Sequence, residues 1–237
     1  MTHTLVLVPG LNNTSTVFDS VVSALPPQVQ ALAVNNAPLE HVEAIALSLL
    51  PQLPARFWLA GFSFGGYVAL ALLEAAPDRV QGIAMICAGP HADPAEALPK
   101  RLAALDAVAQ GRYIELIEQQ AANAFHPDSL NNSALMQARS AMVRAYGPER
   151  YAAHVRATMA RPDRSHLLDG SKPTLVVSAS HDKVIAPDTV TQYAARIPRV
   201  QTRLVQGAGH LLPMERPSEL AELLASWISS SSAADAS

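Results

Sequence analysis

Residues 59–72 read LAGFSFGGYVALAL. Ser63 sits between Gly61 and Gly65, Gly66 follows at once, and apolar residues fill both sides. The serine falls where an apolar run (RFWLAGF, residues 56–62) gives way to a helical pattern over residues 64–76. Gly-Phe-Ser-Phe-Gly at a strand-to-helix junction predicts a sharp turn that lifts the hydroxyl over the edge of a sheet. Such a turn holds the serine in a strained backbone conformation. A side chain at Gly61 or Gly65 would crowd it, and Gly66 lets the helix approach the sheet. The helix N-terminus then aims backbone N–H groups at the point where negative charge develops during attack on a carbonyl.

Outward from this junction, short apolar runs alternate with helical patterns. Strands are expected at residues 4–8, 29–34, 56–62, 80–88, 174–179 and 201–206, with helices at 42–50, 64–76, 188–196 and 218–229. Runs that are apolar throughout, rather than alternating, suit strands covered on both faces. Strand–helix alternation implies an α/β chain with about six parallel strands flanked by helices.

The alternation stops between residues 90 and 168. PAEALPKRLAALDAVAQ, RYIELIEQQAANAF, SALMQARSAMVRAYG and PERYAAHVRATMA are four helical patterns, punctuated by Gly111, His126-Pro127 and Gly147-Pro148. A helical block between two strands of a parallel sheet stands at the strand ends where ligands bind. The expected organisation is a core of residues 1–89 and 169–230 with a helical lid at 90–168. The polar SSSSAADAS ending suggests a disordered tail at 231–237.

A serine nucleophile needs a base. Of the eight histidines, His210 in QGAGHLLPMERP follows the last strand in a small-residue loop that leaves its ring free to point inward. His181 is the rival, and the other histidines read as ordinary surface or lid residues. The base needs an acid to orient it. Asp182 in SASHDKVIAP follows the strand at 174–179, and Asp93 is the runner-up. The order Ser63, Asp182, His210 is nucleophile, acid, histidine. Two N–H groups are expected to hold the oxyanion, Phe64 after the nucleophile and Leu11 in the loop PGLNN after the first strand.

The 237 residues carry a net charge of −3, with 49% hydrophobic and 16% charged. That suits one large domain and gives no footprint for nucleic acid. The single cysteine, Cys87, excludes an intrachain disulfide and reads as a buried thiol in a reducing, cytoplasmic setting. The apolar start lacks a basic segment before it and reads as a strand, not a signal peptide. No apolar stretch is long enough to span a membrane. The histidines lack metal-ligand spacing and no Gly-rich phosphate loop appears, so no cofactor and no metal are expected.

LVLVPGLNN, LAGFSFGGYVALALLEAAPDRVQGIAMICAG, RPDRSHLLDGSKPTLVVSASHDKVIAP and GAGHLLPMERPSEL together resemble the α/β-hydrolase superfamily. The resemblance is to its capped carboxylesterase branch, which includes the pimeloyl-acyl-carrier-protein methyl ester esterases. Two departures stand out. Pro9-Gly10 replaces the His-Gly common in the family, and the chain starts directly at the first parallel strand, without the two that usually precede it. The resemblance implies a serine hydrolase acting on carboxylic esters through an acyl-enzyme. A thioesterase, a carbon–carbon bond hydrolase, a perhydrolase or a non-catalytic receptor on the same scaffold remain alternatives. Nine of the 17 Lys and Arg residues fall between Pro90 and Leu168. Acidic residues nearly cancel them there, which favours a small-molecule ester over an acyl-carrier protein as partner.

Overall fold

β1 (His3–Val8) is the apolar run nearest the N-terminus, and its neighbours are β2 (Val29–Ala33) and β3 (Phe57–Phe62). β4 (Val80–Ile86), β5 (Thr174–Ala179) and β6 (Gln201–Val205) follow in turn. In this computed structural model, which describes residues 2–234, the six strands form one parallel sheet in the order β2-β1-β3-β4-β5-β6.

Side chains alternate across a strand, and both faces of this sheet are apolar. Val6, Val8, Phe57, Leu59, Ile83, Met85 and Val176 enter one core cluster. Leu5, Leu7, Trp58, Ala60, Ala84, Ile86, Leu175 and Val177 enter the other. Helices must therefore cover both sides. α1 (Asp19–Ala24) packs with the C-terminal helix on the second face, while α2 (Val42–Leu49) and α3 (Phe64–Ala75) pack together on the first. The edge strands depart from the expectation of burial. β6 has one neighbour, and Thr202, Arg203 and Leu204 are exposed.

Between β4 and β5 the chain is helical: α4 (Leu98–Ala109), α5 (Tyr113–Gln119), α6 (Ala121–Ala124), α7 (Ser133–Tyr146) and α8 (Pro148–Ala160). The single helix expected over residues 112–125 breaks at Gln120. Its two halves bury into different places: Tyr113 and Ile117 enter a cluster made within the block, and Phe125 enters the core beside the sheet. The Asn132 side chain accepts from Leu135 N–H at 3.1 Å to cap α7. Gly147, at φ +83°, ends α7, and Pro148 starts α8.

α9 (Pro187–Ala194), the short α10 (Leu212–Glu215) and α11 (Pro217–Ala234) complete the chain. Trp227 of α11 meets Trp58 of β3 edge to face, with ring centroids 4.9 Å apart. The tail expected from residue 231 corrects to helix through Ala234, because Leu220, Leu224, Trp227 and Ile228 keep α11 anchored on the sheet. Residues 235–237 of that expectation lie outside the described residues. No helix among the described residues is long and apolar enough to cross a membrane.

The chain visits β2 on one side of β1 and then all later strands on the other. The loops leaving the carboxyl ends of β1 and β3 therefore diverge, which opens a crevice at that switch point.

Candidate active site

β3 ends at Phe62 and α3 begins at Phe64, so Ser63 is the whole turn between them. Its φ is +51° and its ψ −119°, a conformation that L-residues avoid. The Ser63 N–H donates to Ile86 O at 2.9 Å, and Ser63 O accepts from Gly66 N–H at 2.8 Å. The flanking glycines make this turn sterically feasible. A Cβ on Gly61 would lie 2.4 Å from Gly65 O, and one on Gly65 would lie 2.1 Å from Val8 O.

Three of the residues singled out in the sequence meet at this turn. His210, in the loop after β6, has Nε2 2.8 Å from Ser63 Oγ. Its Nδ1 is 2.8 Å from Asp182 Oδ2, in the loop after β5. The Asp182 Oδ1 accepts the N–H groups of Val184 and Ile185, both at 2.8 Å. The carboxylate is thus fixed in orientation and buried, with 1% of its side chain exposed. With Nδ1–H donated to Asp182, the His210 Nε2 turns its lone pair toward the Ser63 hydroxyl.

The two rival residues are elsewhere. Asp93 is an ion-pair partner, taking two 3.0 Å bonds from Arg101 and one of 2.8 Å from Arg161. Burial would raise its pKa, but the Arg101 hydrogen bond and the charges of Arg101 and Arg161 hold it below the usual carboxylate value. The His181 ring is exposed and hydrogen-bonds Ser180 Oγ at 2.8 Å.

The two expected oxyanion donors, Leu11 N–H and Phe64 N–H, donate to no other group among the described residues. The Leu11 loop is braced from behind. Asn13 Nδ2 donates to Leu11 O at 3.2 Å, and Asn36 Nδ2 donates to Pro9 O at 3.0 Å. Asn12 takes φ +65° in this loop. Its side chain meets the Tyr113 hydroxyl, so a tyrosine of the inserted helices holds it.

That hold extends to His154, which the sequence marks as ordinary. It is 0% exposed, stacked on the Phe64 ring with centroids 4.8 Å apart. Tyr146 hydrogen-bonds its Nδ1, and its Nε2 lies 2.6 Å from Ala37 O. Burial pushes its pKa down to about 4, against the pull of the Ala37 carbonyl. No local pattern announces this role, because Phe64 and Ala37 lie far away in sequence.

Cys87 is buried, as expected for an inert thiol, and burial pushes its pKa well up. Its Sγ joins Asp182 and His210 in a group whose ligand atoms lie within 4.8 Å of one another. This donor set suits a metal poorly. Asp182 and His210 are bonded to each other, and the thiol resists the deprotonation that a metal requires.

Known proteins agree with this architecture. Residues 39–217 match the family model described as alpha/beta hydrolase fold, and the chain belongs to that family. A stretch of 92 residues is 34% identical to a pimeloyl-[acyl-carrier protein] methyl ester esterase of Legionella pneumophila (strain Corby), spanning 37% of this chain and 38% of that one. A similarly named protein of Nitrosomonas europaea is 29% identical over 94 residues, covering 36% of this chain and 37% of that one. The similarity thus spans well under half the length of these relatives.

Among solved structures, a thermophilic esterase from Thermogutta terrifontis superposes with a TM-score of 0.87 at 24% identity, over 97% of this chain and 90% of that one. An enol-lactonase from Burkholderia xenovorans LB400 gives 0.86 at 19% identity, over 97% and 92%. At these identities the structures speak to the fold alone.

Proposed function

We propose that the protein is a serine esterase that hydrolyses carboxylic esters through an acyl-enzyme. The observation that carries this reading is the hydrogen-bonded chain from Ser63 through His210 to Asp182. Ser63 Oγ attacks the acyl carbon as His210 Nε2 takes its proton. Asp182 holds the imidazolium that results. The carbonyl oxygen, now negative, is held by the N–H groups of Leu11 and Phe64. His210 returns the proton to the leaving alcohol, and the acyl group stays on Ser63. Water then gives its proton to His210 and attacks the acyl carbon, releasing the carboxylic acid and restoring the serine. The helical block over residues 90–168 serves as a lid on this site. Its Tyr113 touches the Leu11 loop and its His154 packs on Phe64.

The substrate proposed is a small ester. The relatives' names favour a second reading, in which the acyl group arrives on a carrier protein. The surface offers that reading less charge than the sequence suggests. Arg101 and Arg161 are bound to Asp93, Arg139 to Glu118, and Arg164 to Glu43 and Glu74.

The test is labelling by a fluorophosphonate, together with turnover of p-nitrophenyl esters of increasing chain length. Ser63→Ala is expected to abolish labelling and lower kcat by roughly four to six decades. More than about a tenth of wild-type turnover in that variant overturns the assignment of the nucleophile.

A further inference from the structure

Glu215 ends α10, about one helical turn past His210, and is 8% exposed. A carboxylate this buried needs hydrogen-bond partners, and both its oxygens have them. Oε1 accepts the N–H of His126 and Oε2 accepts the N–H of Gly209, each at 2.8 Å. Gly209 belongs to the loop that carries His210. His126 belongs to the inserted block, just past α6.

Three further contacts join the same places. The Leu211 N–H donates to Ala124 O at 2.9 Å. Gly209 approaches the block so closely that a Cβ on it would fall 2.6 Å from both His126 N and Phe125 C. The His126 ring meets the ring of His181 edge-on at 4.3 Å, one residue before Asp182. The residues on either side of His210 are therefore both fastened to residues 124–126.

The loop has need of such fastening. It reads Gly207-Ala208-Gly209-His210, and Gly207 takes φ +63°. Its other ties run to the loop after β5, where the Gly207 N–H donates to Ser180 Oγ at 3.0 Å and Ala208 O accepts the His181 N–H at 2.9 Å, and fixing glycine backbone is entropically costly. Yet the His210 Nε2 must stay within hydrogen-bond reach of Ser63 through the whole reaction.

We propose that Glu215 is a positioning residue, a buried latch that holds the His210 loop against residues 124–126 of the inserted block. The proposal rests on the Ser63–His210–Asp182 reading of the site. It makes the block part of the machinery that orients the histidine, and it implies that the block cannot swing away at residues 124–126 without moving His210.

The experiment compares Glu215→Gln, His126→Pro and His126→Ala, with exposed Glu219→Gln as control, on p-nitrophenyl butyrate. Gln keeps the volume but faces one of the two N–H groups with an amide N–H₂. Proline at 126 deletes the N–H at the other end of the latch together with the ring. The φ of His126 is −62°, proline's own value, and Phe125 before it is extended, as a residue preceding proline must be. His126→Ala keeps the N–H and removes the ring.

Glu215→Gln and His126→Pro are expected to lower kcat by about tenfold to a hundredfold with KM changed less than about threefold. His126→Ala should fall at least about fivefold less than His126→Pro, and Glu219→Gln should match the wild type. Hydrogen exchange should quicken at the amides of residues 126, 209 and 211 in Glu215→Gln while β3 and β4 stay protected. A purely structural Glu215 would lower the melting temperature and leave kcat of the folded protein alone, which overturns the proposal. Full kcat in both latch variants beside a dead Ser63→Ala overturns it too, and leaves the triad reading standing. An active Ser63→Ala sinks the triad reading instead, and unchanged exchange at residues 126 and 209 would then refute the latch itself. Should Glu215→Gln not fold, His126→Pro carries the same comparison.

Discussion

Acid should loosen the contact between the inserted helices and Phe64, and His154 sets where this happens. The neutral ring has its bonding complete. Nδ1 accepts from the Tyr146 hydroxyl, and Nε2–H donates to Ala37 O. A proton added at Nδ1 would face a hydroxyl whose own proton then has no acceptor, in a site without water exposure and near the Arg150 charge. The ring accordingly titrates at about 4 in the fold, against 6.5 as its ordinary value. Above pH 6.5 both folded and unfolded chains hold the neutral ring, and the packing contributes in full. Below that, the unfolded chain takes up a proton that the folded chain refuses, so stability falls until about pH 4 and then levels off. The whole loss is on the order of 3 kcal/mol, of which about 2 kcal/mol has gone by pH 5. Urea unfolding at pH 7, 6 and 5 measures it, with His154→Gln as reference. Glutamine keeps an N–H for the Ala37 carbonyl and has nothing to titrate. The wild type should lose about 2 kcal/mol more than the variant between pH 7 and pH 5. Parallel pH curves for the two proteins would refute the reasoning.

Gly65→Ala should cost at least about 1–3 kcal/mol in urea unfolding, because its Cβ would fall 2.1 Å from Val8 O and push α3 off the Leu11 loop. An unchanged midpoint would contradict that geometry. Asp182→Asn and Asp93→Asn should separate catalysis from stability. The first should cost about four decades of kcat with little loss of stability. The second should keep kcat within about fivefold but lose about 3 kcal/mol, because Arg161 would be left buried, and Arg101 half-buried, without their anion. Reversed effects would exchange the roles of the two acids. An ester carried on an acyl-carrier protein should show no advantage in kcat/KM over the free ester at low salt. A large advantage that salt abolishes would establish docking on the helical block.

The sheet was legible because its signals are local. Each buried strand is an apolar run closed by a turn, and the turn at Ser63 needs glycines at 61 and 65 whatever surrounds it. The edge strand β6 misleads for the same reason: TRL reads as strand, yet only a neighbour on its far side would have buried it. The site was legible in part. Ser63, Asp182 and His210 each follow a strand, so strand ends that lie together in space announce them in sequence. The choice of Asp182 over Asp93 needed more, since both follow strands, and it is Arg101 and Arg161 that occupy Asp93. What sequence could not show is how the two loops beside Ser63 are held. Asn12 is gripped by Tyr113, and Gly209 by Glu215, which also binds His126. In each case the loop itself is small or strained, with φ +65° at Asn12 and +63° at Gly207. A loop of that kind brings its functional atom close to the serine, and packing from other elements must help to keep it there. The inserted helices supply that packing on both sides of Ser63, through contacts that span long stretches of chain and leave no periodic trace. On the proposed reading of Ser63, His210 and Asp182, a chain that kept the sheet and these three residues but lost the helical block is expected to keep the reacting groups and lose their alignment.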